Sequence, residues 1–507
     1  MNTLIRTGIA ALCGLSLGIA GCGSGEKTGA NPSDGASGTT LLMLCAAGMR
    51  VPVEKIAAQY EAEYGVEVQL QFGGSGTLLG NLEVAPCDLY LAADDSYTKT
   101  ARAKGLIAET IPVARMRGGF GVPKGNPKKL SALADVTRPD LRIGIGNPDA
   151  ASVGKFTKKI LEEHGLWAGF TPASQFPTVN EIANAVKVGS LDAAILWDAI
   201  AAQYPEIDFV RLPEFDAAVQ DITIGVAARS KQPTAALKFA RYLTARDKGQ
   251  PVFAANGYET GEGDVWAEEP EILLFSGAML RVAIEGSIGR FEAREGVHIT
   301  PVYNGCGVLV SQMKAGEKPD AYFSCDVKFM DMVKDRFLDG PIVSANEMVI
   351  LVAKGNPKGI ATLPDLAKPG LRVGLGDPEK SALGFLTKVL LDGENLSAAL
   401  AESGNVKLNS ATGDLLVNQL KAGSLDAVIV YKSNAMSAAS TATDCDIVGI
   451  ARPNAIAAQP YAVARESAHK HLLDRFLEAC VSEEGKQAFL SRGFRWELAP
   501  PPAAAQP

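Results

Sequence analysis

The chain contains one globular unit written twice. Lys124-Gly125-Asn126-Pro127 recurs 230 residues later as Lys354-Gly355-Asn356-Pro357. Leu141-Arg142-Ile143-Gly144-Ile145-Gly146-Asn147-Pro148 recurs at the same offset as Leu371-Arg372-Val373-Gly374-Leu375-Gly376-Asp377-Pro378. Gly189-Ser190-Leu191-Asp192-Ala193 recurs 234 residues on as Gly423-Ser424-Leu425-Asp426-Ala427. Solenoid units run to roughly 20–50 residues, so this period marks a duplicated domain. Any site should be visible twice, or its loss from one copy must have a cause in the residues.

The first residues read as an address. Arg6 is basic, and Thr7 to Gly21 are apolar or small, a run too short to span a bilayer comfortably. The run ends Ile19-Ala20-Gly21-Cys22, which resembles the lipobox of bacterial lipoproteins. Residues 1–22 are therefore expected to be a lipoprotein signal peptide, with Cys22 acylated and each buried acyl methylene worth ~0.8 kcal/mol of anchoring. The alternative is an ordinary secretory signal with a chance cysteine. Residues 23–39, rich in Gly, Ser, Asn and Pro, read as a flexible tether to that membrane. Two domains follow, 40–260 and 271–499, joined by an acidic linker at 261–270 and ending in a Pro/Ala-rich tail at 500–507. Each is large enough to bury its own core.

The formal net charge of −8, with no basic cluster to offset it, excludes nucleic acid as a partner. Four histidines and no C-x-x-C spacing give no pattern for a metal centre, and nothing suggests a cofactor. Beyond Cys13 and Cys22 there remain Cys45 and Cys87 in the first domain and Cys306, Cys325, Cys445 and Cys480 in the second, so pairing within each domain is possible in an oxidising compartment. No catalytic group stands out. Gly73 to Thr77 fails the G-x-S-x-G pattern because Thr77 stands where the last glycine is required, and an enzyme is not expected. His469-x-His471 cannot face one side of a helix together and reads as surface.

Strands and helices alternate. Thr40 to Ala47, Val66 to Phe72 and Asp88 to Ala93 read as strands; Val51 to Tyr64, Thr77 to Val84 and Ser96 to Lys104 read as helices. After Ile111 to Val122 the pattern restarts with strands at Arg142 to Gly146 and Leu191 to Trp197 and helices at Val153 to Glu163 and Glu181 to Val188. Ile222 to Ala228 leads back, and Thr234 to Ala245 closes the unit as an amphipathic helix. This alternation predicts two tandem α/β domains, each of two doubly wound, parallel-sheet lobes with a ligand cleft between them.

Ala46-Ala47-Gly48-Met49, Phe72-Gly73-Gly74-Ser75-Gly76-Thr77-Leu78 and Cys87-Asp88-Leu89-Tyr90-Leu91-Ala92-Ala93-Asp94 resemble the periplasmic molybdate-binding proteins of ABC transporters. So do Gly146-Asn147-Pro148-Asp149, the run from Val186 to Trp197, and the closing stretch from Phe239 to Gly257. The resemblance covers nearly all of each copy. It implies a type II periplasmic-binding fold, a small oxyanion of the molybdate or tungstate class in the cleft, and an ABC permease as partner. In that family the anion is held by two hydroxyls, backbone N–H groups and a tyrosine. Those positions fall on Gly48, Ser75 with Gly76, Val153, Val179 and Trp197 in the first copy, and on Met279, Cys306, Leu383, Gly413 and Tyr431 in the second. The first copy keeps one hydroxyl and replaces the tyrosine; the second keeps the tyrosine and loses both hydroxyls. The first is therefore expected to be the better oxyanion binder.

The residues support an anion site independently. Glycines between a strand and a helix start let N–H groups converge on an anion at a favourable helix terminus, at the carboxyl end of the strands. The alternative for Ser75 or Thr77 is a helix cap. Cys306, in Ser75's place, is expected to be buried or bridged to Cys325; the other reading is a thiol that binds a soft metal with Met279 nearby. Three functions stay open: solute delivery to a permease, an oxyanion sensor or scavenger without transport, and soft-metal or redox handling through Cys306 and Met279.

Overall fold

The computed structural model describes residues 38–216, 218–437 and 439–498. The expected signal peptide with Cys22, most of the 23–39 tether and the 500–507 tail lie outside the described residues. From Gly38 onward these form one compact unit.

Each copy is built on one continuous sheet shared by two lobes. In the first copy the order begins Glu67–Gly73, Thr40–Ala46, Leu89–Ala92, all parallel. Val219–Ala227 then runs antiparallel to Leu89–Ala92, and the long strand Ile107–Pro123 runs antiparallel to it in turn. Ile107–Pro123 continues into the second lobe, where it pairs with Ala193–Trp197, followed by Ile143–Gly146 and Ser174–Phe176. The second copy repeats the order with His298–Asn304, Glu271–Gly277, Ala321–Phe323, Ile456–Val463, Ile342–Ala353, Ala427–Tyr431, Val373–Gly376 and Val406–Ser410. The expected all-parallel lobes are therefore mixed. The strands that return between lobes enter from the opposite end, so they pair antiparallel.

Burial explains the local choices. Thr40–Ala46 is a nearly unbroken apolar run, as suits a central strand covered on both faces. Helix Arg50–Tyr64 buries Val53, Ile56, Ala57 and Tyr60 at helical spacing and ends on Gly65, whose φ of 68° is left-handed. Helices expected from Thr77 and Glu181 start earlier, at Ser75 and Val179, because their caps are Gly74 and Thr178.

The copies dock through their first lobes. The closing helix of the first copy, Pro233–Thr244, packs on Arg281–Glu295 of the second. At that contact Glu295, 1% exposed, is held by two arginines. Arg241 donates to its main-chain carbonyl at 2.6 Å and to Oε2 at 2.9 Å; Arg475 chelates Oε1 and Oε2 at 2.7 and 3.0 Å. Burial weighs on both guanidiniums. It is outweighed at Arg475, and it wins at Arg241, whose Nε and Nη2 have no partner among the described residues. The 261–270 linker is irregular but seated: Asp264 accepts the N–H groups of His471 and Leu472, and Trp266 Nε1 donates to Tyr64 Oη at 2.9 Å. His469, expected on the surface, is half-buried beside this linker, and burial pushes its imidazole pKa down.

Candidate functional site: a closed cleft in each copy

In the first copy, loops from both lobes close on a cavity of about 20 Å³, lined among others by Gly48, Gly74, Ser75, Ala93, Val153 and Val179. Room on that scale holds a water-sized occupant. Three helices begin at this point, Ser75–Val84, Ser152–Glu163 and Val179–Lys187. The first two start on Gly74 and Ala151 with no side-chain cap. Ala150 O takes the Gly76 and Thr77 N–H groups, while the Ser75, Ser152 and Val153 N–H groups have no acceptor among the described residues and remain for a ligand where the positive ends of the dipoles converge. No lining residue carries an ionisable side chain.

Ser75 is 1% exposed, and its Oγ accepts the Ala93 N–H at 3.1 Å while its carbonyl accepts the Tyr90 hydroxyl at 2.8 Å. It is not the helix cap. With Oγ accepting from Ala93, the serine proton is left to donate. Gly48 carries no hydroxyl, and a Cβ there would lie 3.0 Å from Ile200 Cδ1 and 3.3 Å from Val179 Cγ1, so a side chain at this position needs both neighbours to give way slightly. Trp197 does not line the cavity. Its ring packs 4.8 Å from Phe156 between centroids, and its buried Nε1 has no partner among the described residues.

The lobes touch through glycines. A Cβ on Gly74 would collide with the carbonyl oxygens of Ala150 and Pro177, and one on Gly76 with that of Asp149. Gly76 N–H donates to Ala150 O across the cleft. The second copy repeats the device: Gly305 abuts Ala411 and Lys380, Gly307 abuts Glu379, and Gly307 N–H donates to Lys380 O at 3.1 Å.

The second cleft differs in its side chains. Met279, Cys306, Leu383, Gly413 and Tyr431 are all buried. Cys306 is disulfide-bonded to Cys325, the residue in Ala93's place, and Cys325 N–H points at Cys306 Sγ at 3.0 Å. The soft-metal reading is corrected on this point, since the sulfur it needs is committed to a disulfide. Burial pushes the Tyr431 hydroxyl pKa far up, so it stays a neutral donor. Ala93, Ala150 and Thr178 were not singled out from the sequence; their contribution is backbone or helix start, which residue type does not advertise.

The family whose sequence pattern matches is the bacterial extracellular solute-binding protein family, over residues 41–259 and again over 272–495. The chain belongs to it. The molybdate-binding protein ModA of Mycobacterium tuberculosis is 29% identical over 251 residues, 48% of this chain and 94% of ModA. Its Escherichia coli K12 namesake is 25% identical over 225 residues, 40% of this chain and 87% of the relative. The solved periplasmic molybdate-binding protein of Azotobacter vinelandii is 18% identical, spans 44% of this chain and 99% of its own, and gives a TM-score of 0.37. Each match accounts for one copy. The strand order of both domains is that of the type II periplasmic-binding architecture, and the family's members are solute-binding proteins rather than enzymes.

Proposed function

We propose that this protein is a lipid-anchored, extracytoplasmic solute-binding protein whose first cleft captures a tetrahedral oxyanion of the molybdate or tungstate class for an ABC permease. The observation that carries the reading is the convergence of helix N-termini and the Ser75 hydroxyl on a closed cavity lined by no ionisable side chain. Such a site holds an anion with fixed dipoles and partly dehydrated donors and needs no cation. It contributes donors aimed inward, which suits an ion that has only acceptors. An anion larger than water enters when the lobes part at the Gly76–Ala150 contact and is enclosed when they meet again. Molybdate-binding relatives at modest identity support the anion class, and Cys22 after the short apolar run supports the anchor.

The test is calorimetric titration of the full-length chain with molybdate, tungstate and sulfate. Saturable binding of molybdate or tungstate, weakened by Ser75→Ala, is the expected result. Absence of binding by every tetrahedral oxyanion would overturn it.

A further inference from the structure

The packing behind the second cleft is polar where that behind the first is apolar. Equivalent positions read Asn346 for Met116, Tyr431 for Trp197, Ser433 for Ala199 and Asn434 for Ile200. The four polar residues are buried, none more than 3% exposed. Each leaves an atom without a partner among the described residues: Asn346 Nδ2, Tyr431 Oη, Ser433 Oγ and Asn434 Oδ1. Buried polar groups are almost always paired, so four such atoms in one cluster call for a bound partner.

They form one cluster, and it packs directly behind the helix start at the cleft. Tyr431 pairs with Met348 across the sheet, and Asn346 lies two residues along that strand on the same face. Ser433 N–H donates to Asn346 Oδ1 at 3.4 Å. Asn434 Oδ1 lies so close to Gly413 that a Cβ on that glycine would collide with it. Gly413 opens the helix that follows Ala411, whose carbonyl abuts the Gly305 loop of the opposite lobe. In the first copy the residue in Gly413's place, Val179, lines the cavity, and the one in Asn434's place, Ile200, covers Gly48.

Asn434 decides the chemistry. Its Nδ2 donates to Asp414 Oδ1 at 2.8 Å, and a carboxylate can only accept, so Oδ1 is held as an acceptor. Asn180, in Asp414's place in the first copy, also has a buried Oδ1 with no partner among the described residues, but Ile200, in Asn434's place, offers it no amide. Asp326 adds a negative field felt at Tyr431. A fully deprotonated dianion would meet a lone pair at Asn434.

Resting on the reading of the first cleft as an oxyanion site, and on the second copy having the same fold, we propose that the second cleft takes a tetrahedral oxyanion that still carries a proton, of the hydrogen phosphate kind. Asn434 Oδ1 accepts the hydrogen bond of that proton, and Asn346 Nδ2, Tyr431 Oη and Ser433 Oγ donate to the remaining oxygens. Molybdate and sulfate are discriminated against because they have no proton to give. The one chain would then present two clefts of different selectivity.

The experiment is titration of the full-length chain with inorganic phosphate and with molybdate, on wild type and on Ser75→Ala, Asn434→Leu and Tyr431→Phe variants. Phosphate should bind wild type and Ser75→Ala alike, one per chain, and weaken at least ~10-fold in Asn434→Leu and several-fold in Tyr431→Phe. Molybdate binding by Asn434→Leu should match wild type, which also reports that the variant is folded. Failure of both anions to bind wild type would overturn this proposal together with the first. Molybdate bound at one site with no phosphate binding would overturn this one alone, leaving the cluster to water, as would phosphate affinity unmoved by Asn434→Leu and Tyr431→Phe.

Discussion

Gly76 and Ala150 meet across the first cleft, the glycine N–H donating to the alanine carbonyl at 2.9 Å, with the Asp149 carbonyl packed where a Cβ would stand. The contact joins one lobe to the other, and only glycine permits it. Gly76→Val should therefore hold the lobes apart while leaving each lobe's core intact. Oxyanion affinity at the first cleft should fall at least ~10-fold, about 1.4 kcal/mol, with a larger radius of gyration in solution scattering. Gly307→Val should leave the first cleft's titration unchanged. Equal affinity in Gly76→Val and wild type would mean that closure is not part of binding.

Ser75→Ala removes the one hydroxyl that the first cleft keeps. A hydrogen bond to a charged partner contributes about 1.5–3 kcal/mol, so molybdate should bind roughly 10- to 150-fold more weakly. The Ala93 N–H also loses its acceptor, so a small drop in thermal stability accompanies the change. A loss of affinity under about 0.5 kcal/mol, against that hydrogen-bond scale, would place the anion elsewhere.

Much of the fold could be read from residue spacing, and the exceptions share a physical cause. The helix expected over Val51 to Tyr64 is Arg50–Tyr64, because its buried face and Gly65 are local signals. Strands Ser174–Phe176 and Ile207–Val210 were not expected: they are short, and Ser174 and Gln175 are exposed, so no periodicity develops. The antiparallel direction of Val219–Ala227 is a property of which end the chain re-enters from, and local pattern carries no trace of it. At the site, motif positions led to Gly48, Ser75, Val153 and Val179, which the structure brings together. Trp197 packs on Phe156 instead of lining the cavity. Asn434 went unnoticed because it lies outside every motif; comparing it with Ile200, its counterpart in the first copy, was the signal available.

Acylation of Cys22 is tested by Cys22→Ser. The proposed anchor acts through acyl methylenes buried in the bilayer at ~0.8 kcal/mol each, and these need the Cys22 thiol as their attachment point. The variant should move from the membrane to the soluble fraction. Unchanged membrane association would count against the anchor.

The disulfide between Cys306 and Cys325 stands in the second copy where the Ser75–Ala93 hydrogen bond stands in the first. It spans 19 residues, a loop whose closure is worth about 3 kcal/mol in the chain-entropy account. Reduction should lower the melting temperature and leave molybdate binding at the first cleft unchanged. Mass spectrometry of alkylated, unreduced protein should find both cysteines unmodified, with Cys45, Cys87, Cys445 and Cys480 labelled only on unfolding, since all four are buried.

Glu295 makes the junction between the copies sensitive to acid. Burial alone would raise its pKa, but the charges and hydrogen bonds of Arg475 and then Arg241 outweigh that and hold its carboxyl below the usual glutamate range. A folded pKa lower than the unfolded one gives stability that is fully present above the unfolded value of about 4.3 and is lost as pH falls through the folded value. Urea denaturation of wild type should show that decline below about pH 4. Glu295→Gln leaves two buried guanidiniums facing a neutral amide, and removing one partner of a buried ion pair costs about 3–5 kcal/mol. That variant should be destabilised by this amount at neutral pH and should lose Glu295's share of the acid-dependent decline. A wild-type stability at pH 7 matched by Glu295→Gln would show that the arginines find other partners and that the copies are held together elsewhere.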